Sequence, residues 1–114
     1  MKLEEQPGRE DGVRVLAGRG ELDVTAVPAI LPGVSALVAG ARAVVLDLTE
    51  LEFFDSAGVR LVDQLARECA RRAEPFAVVA PTGGPSRRVL DLVGLSEPLV
   101  VDDLAAALER VQRG

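Results

Sequence analysis

Histidine, tryptophan and tyrosine are absent from the 114 residues, and cysteine and lysine occur once each, as Cys69 and Lys2. Without histidine, a serine or cysteine nucleophile lacks its commonest base, and almost no zinc ligands remain. An enzyme, a metal site or a bound cofactor is therefore not expected. One cysteine excludes an internal disulfide. Its place on the inward side of a helical period makes it a core residue, compatible with a reducing compartment. No apolar run approaches 18 residues and no signal-peptide pattern is present, so a cytoplasmic, membrane-free protein is expected. The net charge is −5 with the arginines scattered rather than striped, which argues against nucleic acid and anionic membrane as ligands. A protein partner or a small molecule fits better.

Aromatics make up only 3% of a chain that is 48% hydrophobic. The core must then be built from Val, Leu and Ala, as in a helix-covered parallel sheet. The length suits one domain, 1–114, able to bury about two-thirds of its unfolded surface.

Met1 to Gln6 reads as a short edge strand, and Pro7 to Gly12 as a turn or mobile loop. Val13 to Ala17 is the first firm strand. Gly18-Arg19-Gly20 lacks the third glycine of a dinucleotide fingerprint. Thr25 is a candidate helix cap with Pro28 in the first turn, and Pro32-Gly33 requires 24–40 to be kinked or split into two short helices. Gly58 to Ala73 carries the clearest helical stripe, Val59, Val62, Leu65, Ala66, Cys69 and Ala73, with Leu61 at its margin. Asp63 with Arg67, and Glu68 with Arg72, pair on its outer face. Pro75 stops it, and Phe76 to Ala80 is a buried strand. Thr82-Gly83-Gly84 is a turn without the lysine of a phosphate loop. The next helix points Val89, Leu90, Leu92 and Val93 inward and ends at Gly94 as a left-handed cap. Leu99 to Val101 is a last strand, after which Asp102 or Asp103 caps a helix with Leu104, Ala107, Leu108 and Val111 on one side. The order β-β-α-β-α-β-α-β-α predicts an α/β fold, a mostly parallel sheet of four or five strands with about four helices and right-handed crossovers.

The stretch 43–62 organises the rest. Ala43 to Leu48 is a strand buried on both faces, and Asp55-Ser56-Ala57-Gly58 supplies cap-type residues before the apolar stripe. A serine at a first helical turn faces unpaired N–H groups and the positive end of the dipole, so a phosphate on Ser56 would be well received. The plainer reading is an N-cap contributing about 1 kcal/mol. Phe53 and Phe54 point to opposite faces of an extended segment, so only one of them easily enters the same core, and Phe54 is nearer the turn. Gly58 allows close approach of a neighbour or a partner backbone. A phospho-aspartate receiver is the rival for Asp47 and Thr82, but it needs an acidic pair after the first strand and a late lysine, and both are missing.

Two motifs carry a family resemblance. The segment D-L-T-E-L-E-F-F-D-S-A-G, Asp47 to Gly58, resembles the phosphorylation-site segment of STAS domains of the anti-sigma-factor-antagonist family, D-L-x-x-V-x-F-I-D-S-S-G, with Ala57 in place of the second serine. Gly20-Glu21-Leu22-Asp23 is similar to the G-E-L-D turn of the same family. The element order resembles the STAS fold over nearly the whole chain; the break at Pro32-Gly33 departs from it.

The resemblance implies an antagonist that docks, unphosphorylated, on an anti-sigma factor with serine kinase activity, and is released when Ser56 is phosphorylated. It implies a docking surface of Asp23, Phe54, Asp55, Ser56, Ala57, Gly58 and Val59, with Asp23 equally readable as a turn residue. A serine phosphatase for resetting and a weak homodimer are further partners of this scheme. The alternative is a STAS adaptor that is never phosphorylated, fixed in a lipid-transport or signalling assembly.

Overall fold

The structure, a computed structural model, describes residues 2–6, 11–95 and 99–113. Its centre is strand β3, Ala43–Phe54, whose residues Ala43, Val44, Val45 and Leu46 are each 0% exposed. β-branched and aliphatic side chains on both sides of a strand need cover on both sides, and the remaining elements supply it.

β2, Val13–Leu22, lies parallel to β3 on one side, and β4, Phe76–Val79, parallel on the other. β5, Val100–Val101, extends the sheet beyond β4, and β1, Lys2–Glu5, pairs antiparallel with β2 at the opposite edge. The spatial order is β1-β2-β3-β4-β5, that of the chain. This is the α/β sheet expected.

Crossovers of one hand that always step in one direction place their helices on one face. α1 (Val27–Ile30), α2 (Val34–Val38), α3 (Ser56–Arg71) and α4 (Pro85–Leu92) follow that rule. Val27, Val34, Val38, Leu61, Val62, Leu65, Cys69 and Leu90 pack there on Leu16, Val44, Leu46, Leu48 and Val78. Among the described residues the other face carries only α5, Leu104–Arg113, whose Ala107 and Val111 cover Val13, Val15, Ala43, Val45, Ala77 and Val79. Each fully buried Leu or Val contributes roughly 1.5–3 kcal/mol, so this aliphatic bilayer is the main source of stability.

The proline break is real: a single 3-10 turn, Leu31–Gly33, separates α1 from α2. Pro28 sits in the first turn of α1, but Thr25 does not cap it. No side chain caps α1; the Asp23 carboxylate instead closes the turn leading into it, accepting from the N–H groups of Thr25 (3.0 Å) and Ala26 (2.9 Å). A carboxylate two or three residues upstream reaches those donors directly, so the threonine hydroxyl is not needed.

Other boundaries move. β2 continues five residues beyond Ala17, to Leu22, so the expected turn begins only at Asp23. β3 runs on past Leu48 to Phe54. Register shifts against β2 insert extra residues into β3, at 47–50 and 51–53. They change the inward spacing from two to three, so that Leu48, Leu51 and Phe54 are buried while Thr49, Glu50, Glu52 and Phe53 face out.

In α3 the buried set is Gly58, Leu61, Val62, Leu65 and Cys69, a regular i, i+3, i+4, i+7, i+11 series. Leu61 is thus central rather than marginal. Ala73 lies beyond the helix at φ 56°, where the N–H of Glu74 bonds back to the carbonyl of Cys69 and closes the end.

In α4 the inward residues are Ser86 and Leu90, with Val89 half-buried. Leu92 and Val93, expected inward, are 82% and 52% exposed. Leu92 follows Leu90 by two positions, about 200° around the helix, and so faces away from the core. Gly94 has the left-handed conformation expected of it, with φ 79°. At the start of α5 Asp103 is the cap, accepting from the N–H of Ala106 at 2.8 Å. The loop expected over Pro7 to Gly12 lies outside the described residues except for Asp11 and Gly12.

The contrast in α4 is directly measurable. Leu90→Ala should lower unfolding free energy by about 2–5 kcal/mol, whereas Leu92→Ala should stay within about 0.5 kcal/mol, as read by urea denaturation.

Candidate functional site

Parallel strands deliver their carboxyl ends to one edge of the sheet. There Leu22 of β2 is paired with Phe54 of β3, so the residues that follow, Asp23 and Asp55, leave neighbouring strand ends side by side. Asp55 is extended, at φ −128° and ψ −163°, and its carboxylate accepts from the N–H of Ala57 at 2.9 Å. Its carbonyl takes the N–H of Val59 at 3.2 Å, the first bond of the α3 ladder. The cap is therefore Asp55, which leaves Ser56 as the first helical residue, exposed and with its hydroxyl not spent on capping.

The expected surface residues divide by exposure. Asp23, Asp55, Ala57 and Val59 are half-buried and Ser56 is exposed, while Gly58 and Phe54 are buried. Phe54 was expected at the partner surface. Its ring is only 4% exposed and lies directly beneath Gly58, where an added Cβ would stand 2.5 Å from Cε1. The exposed ring is that of Phe53, at 47%. Alternation alone left the two phenylalanines equivalent. The three-residue recurrence of Leu48, Leu51 and Phe54 is the signal that separates them.

Val24, 72% exposed just after Asp23, is a second apolar residue at this edge that sequence reasoning passed over. Glu21, Asp23 and Glu52 line an open depression of about 460 Å3 with Gly20, Thr25 and Ala26. The edge is acidic. The Asp23 carboxyl is held below its ordinary range, chiefly by the Ala26 N–H; desolvation opposes this, and the Thr25 N–H adds to it.

A second polar cluster ties the next strand ends together. Thr82 donates to Asp102 from its N–H (2.8 Å) and its hydroxyl (2.5 Å), and Arg87 reaches Asp102 at 3.3 Å and the Ala80 carbonyl at 2.9 Å. Asp102 therefore joins β4 and α4 to the start of α5, and does not cap α5 itself. On α3, Glu68 accepts from Arg71 and from Arg72 (3.0 Å), and from the Ser35 hydroxyl of α2 (3.0 Å). Asp63 pairs with Arg67 at 2.8 Å. The Cys69 thiol is fully buried and pushed up to about 12, first by desolvation and then by Glu74 and Glu68, which leaves it a neutral core group. Among the described residues no group of three His, Cys, Asp or Glu side chains is placed to hold a metal ion. No helix among them is long and apolar enough to cross a membrane.

With this geometry in place, comparison with known families matches residues 6–107 to the STAS domain. The chain belongs to the STAS domain family. Among solved structures, this STAS domain is similar to an anti-sigma factor antagonist from Mycobacterium paratuberculosis, at 31% identity and a TM-score of 0.78, over 97% of this chain and 95% of that one. It is also similar to the anti-sigma factor antagonist SpoIIAA in its unphosphorylated form, at 27% identity and a TM-score of 0.77, over 99% and 98% of the two chains. The phosphorylated form of SpoIIAA, the Bacillus cell fate determinant, matches at 26% identity and 0.71 over 96% and 99%. No curated protein matches the sequence.

The Asp102 carboxyl is held below its ordinary value of 3.8, chiefly by the Thr82 hydroxyl and then by the Thr82 N–H; desolvation opposes this and Arg87 adds to it. A depressed carboxyl stabilises the fold above its unfolded value and loses that contribution as pH falls through the folded one. Asp102→Asn should therefore lower the Tm at pH 7, and the gap to the parent should close as pH falls below 3.8 through the folded value, in thermal scans across pH.

Proposed function

We propose that this STAS domain is an anti-sigma factor antagonist that binds a serine-kinase anti-sigma factor through the edge formed by Asp23, Asp55, Ser56, Ala57 and Val59, and that phosphorylation of Ser56 releases it. One observation carries this reading: Ser56 is exposed at the first turn of a sixteen-residue helix whose cap is already provided by Asp55. Its hydroxyl is free to accept a phosphoryl group, and the helix dipole offsets part of the charge that arrives. The similarity to SpoIIAA, which has been solved in unphosphorylated and phosphorylated forms, supports the same reading.

The edge explains why modification would end docking. Phosphoserine adds a charge of about −1.5 to −2. It would arrive beside Asp55 and near Asp23, with Glu21 and Glu52 lining the adjoining depression. A partner surface that fits the hydroxyl state would then face a desolvated anion, which costs several kcal/mol where no cation meets it. The charge itself acts as the switch, and the fold need not move. Phe53 and Val24, the exposed apolar side chains of this edge, give the partner its non-polar contact; Phe54 acts from below.

The test is intact mass before and after incubation with ATP and the serine-kinase anti-sigma factors of the same organism, followed by peptide mapping and pull-downs with variants. Phosphate appears on Ser56, Ser56→Ala binds constitutively, and Ser56→Asp loses about tenfold or more in affinity, 1.4 kcal/mol. Stable binding to one of these proteins without phosphate, and with both variants behaving as the parent, would overturn the switch and leave a fixed adaptor.

A further inference from the structure

The residue that follows Ser56 by two has no room for a side chain. A Cβ on Gly58 would lie 2.5, 2.6 and 2.9 Å from Cε1, Cδ1 and Cζ of Phe54, inside any distance that real carbon atoms keep. Phe54 cannot simply swing aside. Its ring is 4% exposed and belongs to the same packed cluster as Leu48, Leu51, Leu61 and Val62. Its strand position is fixed by pairing with Leu22 of β2. The first turn of α3 therefore rests its backbone on an aromatic plate that the sheet holds still.

We propose that Phe54 and Gly58 are a positioning pair: the contact between ring and backbone sets the height of the first turn of α3, and with it the presentation of the Ser56 hydroxyl to a kinase. The inference rests on the reading of Ser56 as acceptor. The geometry passes through two short links. Asp55 follows Phe54 directly and caps the helix through the Ala57 N–H at 2.9 Å, and its carbonyl bonds the Val59 N–H at 3.2 Å. Ser56 lies between these two anchors. Raising the turn by a methyl group stretches both anchors and tilts Ser56 away from its native place. A group that must align with a phosphoryl donor tolerates little of this, since misplacement by about 1 Å can cost a hundredfold in rate.

The contact also predicts its own repair. Replacing Phe54 by valine removes all three ring atoms that the new methyl would strike, so a clash created at position 58 is relieved from position 54. A purely local loss of helix propensity would not behave this way, because Ala is a better helix former than Gly.

The experiment compares the parent, Gly58→Ala, Phe54→Val and the double variant Phe54→Val/Gly58→Ala by backbone amide NMR and hydrogen exchange. In Gly58→Ala the Ser56 and Ala57 amide resonances should shift and the Ala57 amide should exchange faster; in the double variant both should return toward the parent. If Gly58→Ala does not fold, the double variant should fold with parent-like Ser56 and Ala57 signals. Unchanged Ser56 and Ala57 signals in folded Gly58→Ala would overturn the proposal. A defect that Phe54→Val does not relieve would do the same. With the kinase in hand, Ser56 phosphorylation should slow by about tenfold or more in Gly58→Ala and recover in the double variant. If the parent itself takes no phosphate, the acceptor reading fails, while the amide signals still decide the positioning pair.

Discussion

A strand with both faces buried leaves its neighbours little freedom, and β3 is such a strand. With Ala43 to Leu46 fully out of solvent, helices must cover one side and α5 the other. The parallel partners β2 and β4 must also satisfy the backbone groups of β3, because an unpaired buried amide is too costly to leave. The candidate edge inherits this rigidity. Asp55 and Ser56 follow the last residue of the best-anchored strand, so the core holds the turn from below while the Asp55 cap holds it from within.

Much of this could be read from residue order. The aliphatic run at 43–48, the cap residues at 55–58, the prolines that divide the first crossover and the glycine after α4 each act locally, within a few residues of where they stand. Their physics is the same in a peptide as in the domain. The details that escaped depend on distant partners. Within β3 the only trace of the two extra residues absorbed against β2 is the three-residue spacing of Leu48, Leu51 and Phe54, which alternation does not read, and that mismatch decides which phenylalanine faces water. Asp102 takes Thr82, twenty positions away, and leaves the cap of α5 to Asp103. Leu92 and Val93 fitted a helical stripe, but α4 is only eight residues long and its inward face is already filled by Ser86 and Leu90.

The candidate edge combines two chemistries that seldom share a small surface. Exposed Phe53 and Val24 invite burial, while Glu21, Asp23, Glu52 and Asp55 demand water or cations. On the proposed reading, such a surface would gain affinity from the apolar residues and selectivity from the charges, because a wrong partner leaves carboxylates desolvated. The acidic composition of the chain, net −5, thus has a local expression at this edge as well as a general one.

The strand order has a consequence for how the molecule comes into being. Because β1 to β5 are laid down in space in the order in which they are synthesised, each new strand finds its neighbour already present. No strand has to be inserted between two others. Assembly can proceed by adding one crossover at a time to a growing edge, with loop closures kept short and a low entropic barrier for each. β3 and the start of α3 come early in that series, before β4, α4 and α5. The segment bearing Ser56 thus lies midway along that series, with β2 available before it and β4, α4 and α5 needed after it to complete the cover of β3.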